Sequence, residues 1–368
     1  MEMIGRYRIT GRIGSGSFAT VYRGQDDTLD VPVAVKVLAD NWATNDDVRA
    51  RFLAEARLLR RISDERIVRV YDIGTTDRGQ PYFVMDLANG GSLDQLRKRL
   101  VAPGLALRLC AEAARALEVM HRHQLVHRDI TPGNILLTNT PGGVRVMLAD
   151  LGVAKSLLDD YRDTMTAGTP AYMALEQANS TGLDQRSDIY SLACVTYALL
   201  TGHPPFPVKT LAELLNRNHA IGPAPIAAQI GAPQQLDQVL ASALSADPNR
   251  RPQTALQFAD ALDTLAAALP GGDAYRPRPL SAPSTPTVPL PAAPAPIDTL
   301  PAGPRHPGSL MPRSETPTSM LDSYLGKGRY RPAKTRETHS LWFHVWVTAS
   351  AILLLALTLW LTVYVLTR

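Results

Sequence analysis

The chain has 368 residues, which is enough for about two domains, and 45% hydrophobic and 20% charged residues are typical of a globular protein with a sizeable core. The formal net charge of +4 is mild, so nothing favours nucleic-acid binding, which needs a basic stripe or patch. Cys110 and Cys194 lie in apolar, helix-like surroundings, which argues against a disulfide framework and favours a reducing compartment. No signal peptide is expected, because MEMIGRYRIT has no apolar run.

A folded domain is predicted over residues 1–269. Its first part alternates short β-branched and aromatic runs with Gly, Asp and Pro, which predicts strands; these runs are YRITGRIGSGSFATVYRG, VPVAVKVL, IVRVYDIG and PYFVMDL. A helix-like stretch at 46–61 interrupts them, and from about residue 92 the pattern becomes helical. A β-rich part followed by a helix-rich part indicates an α+β fold with two lobes.

Residues 270–340 have a different composition. They hold about half of the 29 prolines, with Ala, Ser and Thr between them, and show no periodic apolar face. Nothing in such a segment offsets the entropy lost on ordering. We therefore expect a disordered linker, partly extended by its prolines.

The run at 341–366 contains no Asp, Glu, Lys or Arg. A helix of this length, at about 1.5 Å per residue, exceeds the hydrocarbon core of a bilayer, which is about 30 Å thick. Aromatic residues lie towards both ends, as they do at membrane interfaces. We expect a single transmembrane helix; the alternative is a buried helix of a soluble domain. The interfacial aromatics are Trp342, Trp346, Trp360 and Tyr364.

Basic residues crowd the N-terminal side of this run, whereas Arg368 alone lies on the other side. Short flanking segments rich in Lys and Arg stay cytoplasmic, so we expect a single-pass protein of the cell membrane with residues 1–340 in the cytoplasm. The basic residues before the run are Lys327, Arg329, Arg331, Lys334 and Arg336.

Two motifs with possible chemistry lie in the strand-rich part. GSGSFATV at 14–21 places two glycines between strand-like runs, where the backbone can turn tightly over a phosphate chain. Lys36 lies in the apolar run VPVAVKVL and needs an anionic partner, because burying an unpaired charge is costly. Glu55 in RFLAEARLLRRI offers one. Taken alone, each motif has a simpler explanation: a hairpin turn, or a surface lysine on an edge strand.

Two further motifs follow, HRDITPGN at 127–134 and DLG at 150–152. Asp129 and Asn134 lie five residues apart in a loop too rich in Pro and Gly for a helix. A carboxylate there can accept a hydroxyl proton while the amide oxygen helps to hold a metal ion. Asp150 follows the strand-like VRVMLA and suits Mg²⁺ coordination. Alone, either motif could be a turn.

In this order and spacing, the four motifs resemble the signature set of eukaryotic-type Ser/Thr protein kinases, and most closely the bacterial membrane-anchored branch, over about residues 7–268. The resemblance implies a bilobal kinase fold with a β-rich N-lobe, a helical C-lobe and ATP between them. It implies that Asp129 takes the proton of the substrate hydroxyl, that Lys36, oriented by Glu55, holds the α- and β-phosphates, and that Asn134 and Asp150 hold Mg²⁺. Nucleotide contacts are expected at Ile13, Gly14, Gly16, Val21, Ala34, Lys36, Met85, Asp86 and Ala88.

The resemblance extends to structural motifs of the helical part. GTPAYMALE at 168–176 looks like the end of an activation segment, and its Glu176 is expected to pair with Arg251. Asp188 looks like the buried aspartate that braces the catalytic loop. Met85 falls at the gatekeeper position, and residues 86–88 fall at the hinge that contacts adenine.

Activation-segment phosphorylation is a further expectation from the resemblance. Thr164 and Thr166 lie between Asp150 and the segment end, and family members use the arginine equivalent to Arg128 to grip a segment phosphate. Autophosphorylation is therefore expected at Thr164 or Thr166; the alternative is that both are ordinary polar loop residues. Its trans form would need self-association.

Three positions depart from the family pattern. Ala19 replaces the third glycine of the nucleotide loop, and Leu175 replaces the usual proline of the A-P-E motif. Thr131 matters most, because Ser/Thr kinases usually carry there a lysine that neutralises charge near the γ-phosphoryl group. An active kinase of protein Ser/Thr hydroxyls is the main prediction. The alternatives are a membrane-tethered pseudokinase, and a small-molecule kinase of the antibiotic phosphotransferase type.

Overall fold

A computed structural model describes residues 2–99, 101–141, 143–152, 170–179 and 182–272. In these ranges a β-sheet part precedes a helical part, which confirms the predicted α+β architecture. Within the described residues, no helix is both long and apolar enough to cross a membrane. The predicted transmembrane run at 341–366 lies outside them, as do nearly all of the predicted linker and the stretch that contains Thr164 and Thr166.

A six-stranded antiparallel sheet forms the first part, in the order β1-β2-β3-β4-β6-β5. Lys36 lies on the inner strand β4, opposite Val21 of β3 and Phe83 of β6. This position excludes the alternative of a surface lysine on an edge strand. The strands are β1 (Met3–Ile4), β2 (Tyr7–Ser15), β3 (Ala19–Asp26), β4 (Val31–Leu38), β5 (Val70–Thr75) and β6 (Pro81–Asp86).

One long helix, α1 (Asp46–Arg61), packs on this sheet and has the bounds that the sequence predicts. Asn45 caps it by accepting a hydrogen bond from the Val48 N–H, which satisfies one of the free donors of the first turn. Phe52, Ala56 and Leu59 lie on one face at helical spacing and are buried. Glu55 is buried among them, so the helix carries a carboxylate into an otherwise apolar contact.

Two long helices form the centre of the second part. α3 (Pro103–Arg122) and α5 (Gln185–Thr201) are buried along most of their length and pack against each other. Cys110 and Cys194 lie on these helices as free, buried thiols, so no disulfide joins them. The other elements are α2 (Leu93–Arg97), β7 (Ile135–Thr140), β8 (Gly143–Leu148), α4 (Leu175–Ala178), α6 (Leu211–Asn216), α7 (Ala227–Ile230), α8 (Gln235–Ala243) and α9 (Ala255–Ala267).

The last described turn is fastened to the start of α3. The Gly104 N–H donates to the Pro270 carbonyl at 3.0 Å, and Arg108 Nε donates to the Gly272 carbonyl at 3.1 Å. A Cβ at Gly104 would lie 2.5 Å from the Gly272 nitrogen, which explains the glycine. Arg108 also pairs with Asp263 of α9 at 2.7 Å.

Candidate active site

Three charged side chains meet where the sheet contacts α1 and the segment after β8. Lys36 Nζ lies 2.8 Å from Glu55 Oε1 and 2.9 Å from Asp150 Oδ1. Burial alone would lower the pKa of Lys36, but the two carboxylates outweigh it and raise that pKa, so the lysine is charged. Burial raises the pKa of Glu55 although Lys36 opposes the shift. Lys36 thus joins the carboxylate of α1 to the carboxylate that follows β8.

The buried carboxylate of Asp188 holds the backbone of the catalytic-loop motif at 127–134. Asp188 of α5 accepts hydrogen bonds from the His127 N–H at 2.8 Å and the Arg128 N–H at 2.9 Å, and its Oδ2 lies 2.9 Å from His121 Nε2. Arg128 has φ +66°, a left-handed conformation that is uncommon for residues other than glycine. The bracing role expected of Asp188 is therefore present in the structure.

Asp129 and Asn134 are in direct contact. Asn134 Nδ2 donates to the Asp129 carbonyl at 2.8 Å and to its carboxylate at 2.6 Å. With the amide nitrogen so engaged, the amide oxygen of Asn134 is the atom left for a cation. A small pocket lies beside Asp129, lined also by Thr131, Tyr172 and Gln177.

The segment that bears Asp150 is locked against the same loop. The Gly152 N–H donates to the His127 carbonyl at 2.9 Å, and a Cβ at Gly152 would lie 3.1 Å from Asp129 Cβ. Asp150 itself has φ +60°. The structure thus brings three of the motifs together, because Lys36 contacts Asp150 and Gly152, two positions later, packs on Asp129.

The donor set suits Mg²⁺. Within the described part of the chain, no three His, Cys, Asp or Glu side chains form a preformed metal site. Asp150 and Asn134 would supply two oxygens, and Mg²⁺ usually takes one or two protein carboxylates together with phosphate oxygens and water. The residues present therefore fit that ion.

The predicted nucleotide contacts lie along β2, β3, β4 and β6. Gly14 lies near the end of β2, and Gly16 begins the turn between β2 and β3. Ile13 is 51% exposed, and Ala34 lies opposite the buried Met85 across β4 and β6. Ala88 follows β6. The nucleotide-binding roles of these residues stay predictions.

The known family that matches is "Protein kinase domain", over residues 7–262. The chain belongs to this family. The DNA damage-responsive serine/threonine-protein kinase RqkA of Deinococcus radiodurans is 40% identical over 266 residues, which are 70% of this chain and 39% of RqkA. The serine/threonine-protein kinase PknL of Mycobacterium tuberculosis is 35% identical over 269 residues, 72% of this chain and 66% of PknL.

A solved structure agrees with these relatives. The Mycobacterium tuberculosis PknI kinase domain aligns with 72% of this chain and 98% of its own length, at 27% identity and a TM-score of 0.58. The predicted bilobal kinase fold is confirmed by this likeness and by the family match. The chain spans about two fifths of the length of RqkA.

The end of the kinase's activation segment is anchored as expected. Arg251 donates from Nη1 to Glu176 Oε1 at 2.5 Å and from Nη2 to Oε2 at 3.0 Å, and Ser187 Oγ donates to the same carboxylate at 2.7 Å. Burial would raise the pKa of Glu176, but these bonds and the charge of Arg251 hold it below its usual value. Leu175, in place of the usual proline, begins α4.

Two residues near the kinase site, Tyr71 and Trp42, were not predicted from the sequence. Tyr71 donates from its hydroxyl to Asp86 Oδ1 at 2.5 Å, which ties the predicted hinge to β5. Trp42 donates from Nε1 to the Ser17 carbonyl at 3.0 Å, which ties the nucleotide loop to the segment before α1. Trp42 could have been singled out from the sequence, because it is the sole tryptophan of residues 1–272.

Proposed function

We propose that the chain is an ATP- and Mg²⁺-dependent Ser/Thr protein kinase that transfers the γ-phosphoryl group of ATP to hydroxyls of proteins. The contact of Lys36 with Glu55 at 2.8 Å, made beside Asp150, carries the proposal. In protein kinases this ion pair and the metal-binding aspartate must both be in place for transfer. The names of the relatives, all serine/threonine-protein kinases, support the same substrate class.

The roles follow from where the side chains lie. Lys36 is to hold the α- and β-phosphates with Glu55 fixing its position, and Asp129 is to orient the substrate hydroxyl and accept its proton. Asp150 and Asn134 are to hold Mg²⁺, which neutralises charge on the phosphates when bound. Because little covalent chemistry falls to the protein, positioning and charge stabilisation supply the rate.

Thr131 sets this kinase apart from the usual pattern and is the sole sequence support for a pseudokinase. A hydroxyl there supplies no charge near the γ-phosphoryl group, so slower transfer is expected than in a kinase with lysine. Lys36 nevertheless contacts both Glu55 and Asp150, and Asp129 is retained beside Asn134. We therefore favour an active kinase over a pseudokinase.

Incubating the full chain with labelled ATP, Mg²⁺ and a generic protein substrate tests the proposal. Asp129→Asn should abolish transfer and leave nucleotide binding nearly intact, whereas Lys36→Met should stop transfer and weaken binding as well. Asp260→Asn, an exposed substitution on α9, is the matched control and should behave as wild type. Wild-type transfer by Asp129→Asn would refute the assignment; binding without any transfer by the natural chain would favour the pseudokinase.

We further propose that residues 341–366 anchor the kinase in the cell membrane, with its domain in the cytoplasm. The apolar run and the five basic residues before it support this orientation. Those basic residues can also contact anionic lipid heads, at about 1 kcal/mol each near the surface. A linker of this length has a root-mean-square span of roughly 45 Å, so neighbouring kinases could meet and phosphorylate each other in trans.

Protease added to intact cells should leave the kinase domain undigested. Digestion with membranes unbroken would overturn the orientation, and full-length protein found wholly in the soluble fraction would overturn the anchor. Cross-linking of neighbouring chains in the membrane, or its failure, separately tests self-association.

A further inference from the structure

The tip of the nucleotide loop is clamped by an indole that the catalytic motifs do not include. The turn between β2 and β3 consists of residues 16–18, and Phe18 stacks on Trp42 with ring centroids 5.3 Å apart and planes at 29°. Trp42 Nε1 donates to the Ser17 carbonyl at 3.0 Å. One side chain thus contacts the loop tip through both a ring face and a hydrogen bond.

The backbone of the tip is oriented by a series of bonds. Consecutive carbonyls of Ser17, Phe18 and Ala19 accept hydrogen bonds from Trp42 Nε1, the Ala39 N–H at 2.8 Å and the Gly16 N–H at 2.9 Å. In a planar trans peptide the N–H points opposite to the C=O. The Ser17 carbonyl and the Phe18 N–H belong to one peptide group. Because the carbonyl points at Trp42, the Phe18 N–H points away from Trp42.

Along the chain, Trp42 also lies between the two elements that carry the ion pair. It ends a short 3-10 helix, Asp40–Trp42, that lies between β4, which bears Lys36, and α1, which bears Glu55. The strand register sets Val21 opposite Lys36, so Phe18 lies three residues, or about 10 Å, along the strand from the lysine's position. The clamp therefore couples the loop tip to the connection between the two members of the ion pair.

We propose that Trp42 is a positioning residue for the nucleotide: it holds the loop tip so that the Phe18 N–H is presented to the phosphates of ATP. The inference rests on the proposed function in taking ATP as the nucleotide. Holding the tip before ATP arrives lowers the cost of ordering a glycine-containing loop on binding. Loss of the indole should therefore weaken nucleotide binding more than it slows the chemical step.

Binding measurements on the full chain test the role without requiring activity. Using calorimetry with ADP and Mg²⁺, we expect Trp42→Leu to raise Kd about tenfold, the size expected when an aromatic pair and a hydrogen bond are lost together. Trp42→Phe keeps a ring against Phe18 and loses the N–H, so its Kd should be intermediate. Asn41→Ala, an exposed neighbour in the same short helix, is the control and should bind as wild type.

Fluorescence supplies a second readout that a merely structural role would not move. The other three tryptophans lie at 342, 346 and 360, so the difference between wild-type and Trp42→Phe emission isolates the indole at the clamp. Adding ADP and Mg²⁺ should change that difference spectrum. Should Trp42→Leu unfold, the melting-matched Trp42→Phe variant carries the test alone.

The outcomes separate this inference from the proposed function. ADP binding as tight in both Trp42 variants as in wild type, or a difference spectrum unchanged at saturating ADP, would overturn the positioning role. If both variants bind ADP more weakly but the natural chain phosphorylates no protein, the proposed kinase activity is overturned and the positioning role stands.

Discussion

Replacing Arg251 by methionine should destabilise the helical part of the kinase far more than replacing its neighbour Arg250. The Arg251 side chain is fully buried, and it neutralises the buried carboxylate of Glu176 through two hydrogen bonds. Removing one partner of a buried ion pair costs about 3–5 kcal/mol, since the other charge is left uncompensated. Arg250 is 80% exposed and lies 3.8 Å from Asp247, so its loss should change stability by less than about 0.5 kcal/mol.

The backbone raises the cost for Arg251 above that for Glu176. Arg251 also donates to the carbonyls of Ser245 at 2.8 Å and Arg186 at 3.1 Å, and each buried acceptor left unpaired costs about 1–3 kcal/mol. Glu176→Gln keeps an acceptor for Ser187, so we expect about 3 kcal/mol for it and about 5 kcal/mol for Arg251→Met. At about 2–4 °C per kcal/mol, the arginine variant should melt roughly 10–20 °C below wild type.

Circular dichroism of the full chain during thermal and urea unfolding measures these differences. Because the folded pKa of Glu176 is depressed, its contribution is present above the unfolded value of about 4.3 and is lost as the pH falls through the folded value. The gap between wild type and Glu176→Gln should therefore narrow as the pH falls below the unfolded value of about 4.3. An Arg251→Met protein within about 1 kcal/mol of Arg250→Met would refute the reasoning from burial.

Three further outcomes are expected. Thr131→Lys should transfer phosphate as fast as the natural kinase or faster, measured as initial rate at saturating ATP; a dead variant would show that Thr131 belongs to a different arrangement. Mass spectrometry of the active chain should find phosphate on Thr164 or Thr166, and an unmodified segment in a fully active enzyme would contradict this. Cys110, whose pKa burial raises to about 12, and the likewise buried Cys194 should resist thiol reagents at pH 8 until the chain unfolds, whereas rapid labelling of native protein would contradict their burial.

Local signals made the helix α1 and the ion pair predictable. An asparagine cap, two aspartates in the first turn and apolar residues at helical spacing are all encoded within 45–61. A lysine in an apolar strand needs a partner, and Glu55 was the acid that the motif order offered. The contacts of Glu176 with Arg251 and of Asp188 with the catalytic loop were likewise predicted, although from family resemblance and not from local pattern.

Features set by tertiary contacts could not be predicted in this way. Tyr71 lies at an irregularity of β5, between residues paired with Met85 and Val84, and such a bulge re-aims a side chain against the strand's period of two. The alternation of inward and outward side chains along a regular strand therefore does not predict the bond of Tyr71 to Asp86. The left-handed backbone of Arg128 is similarly held by a carboxylate far away in the sequence, that of Asp188.

The fastening of Gly272 to α3 has a mechanical consequence. A force applied at Gly272 would act on the start of α3 through the hydrogen bonds of Gly104 and Arg108, and on α9 through the chain itself. The opposite end of that helix, about 30 Å away, bears His121, which contacts the carboxylate that braces the catalytic loop. The attachment of Gly272 and the brace of the catalytic loop therefore lie at opposite ends of one buried helix.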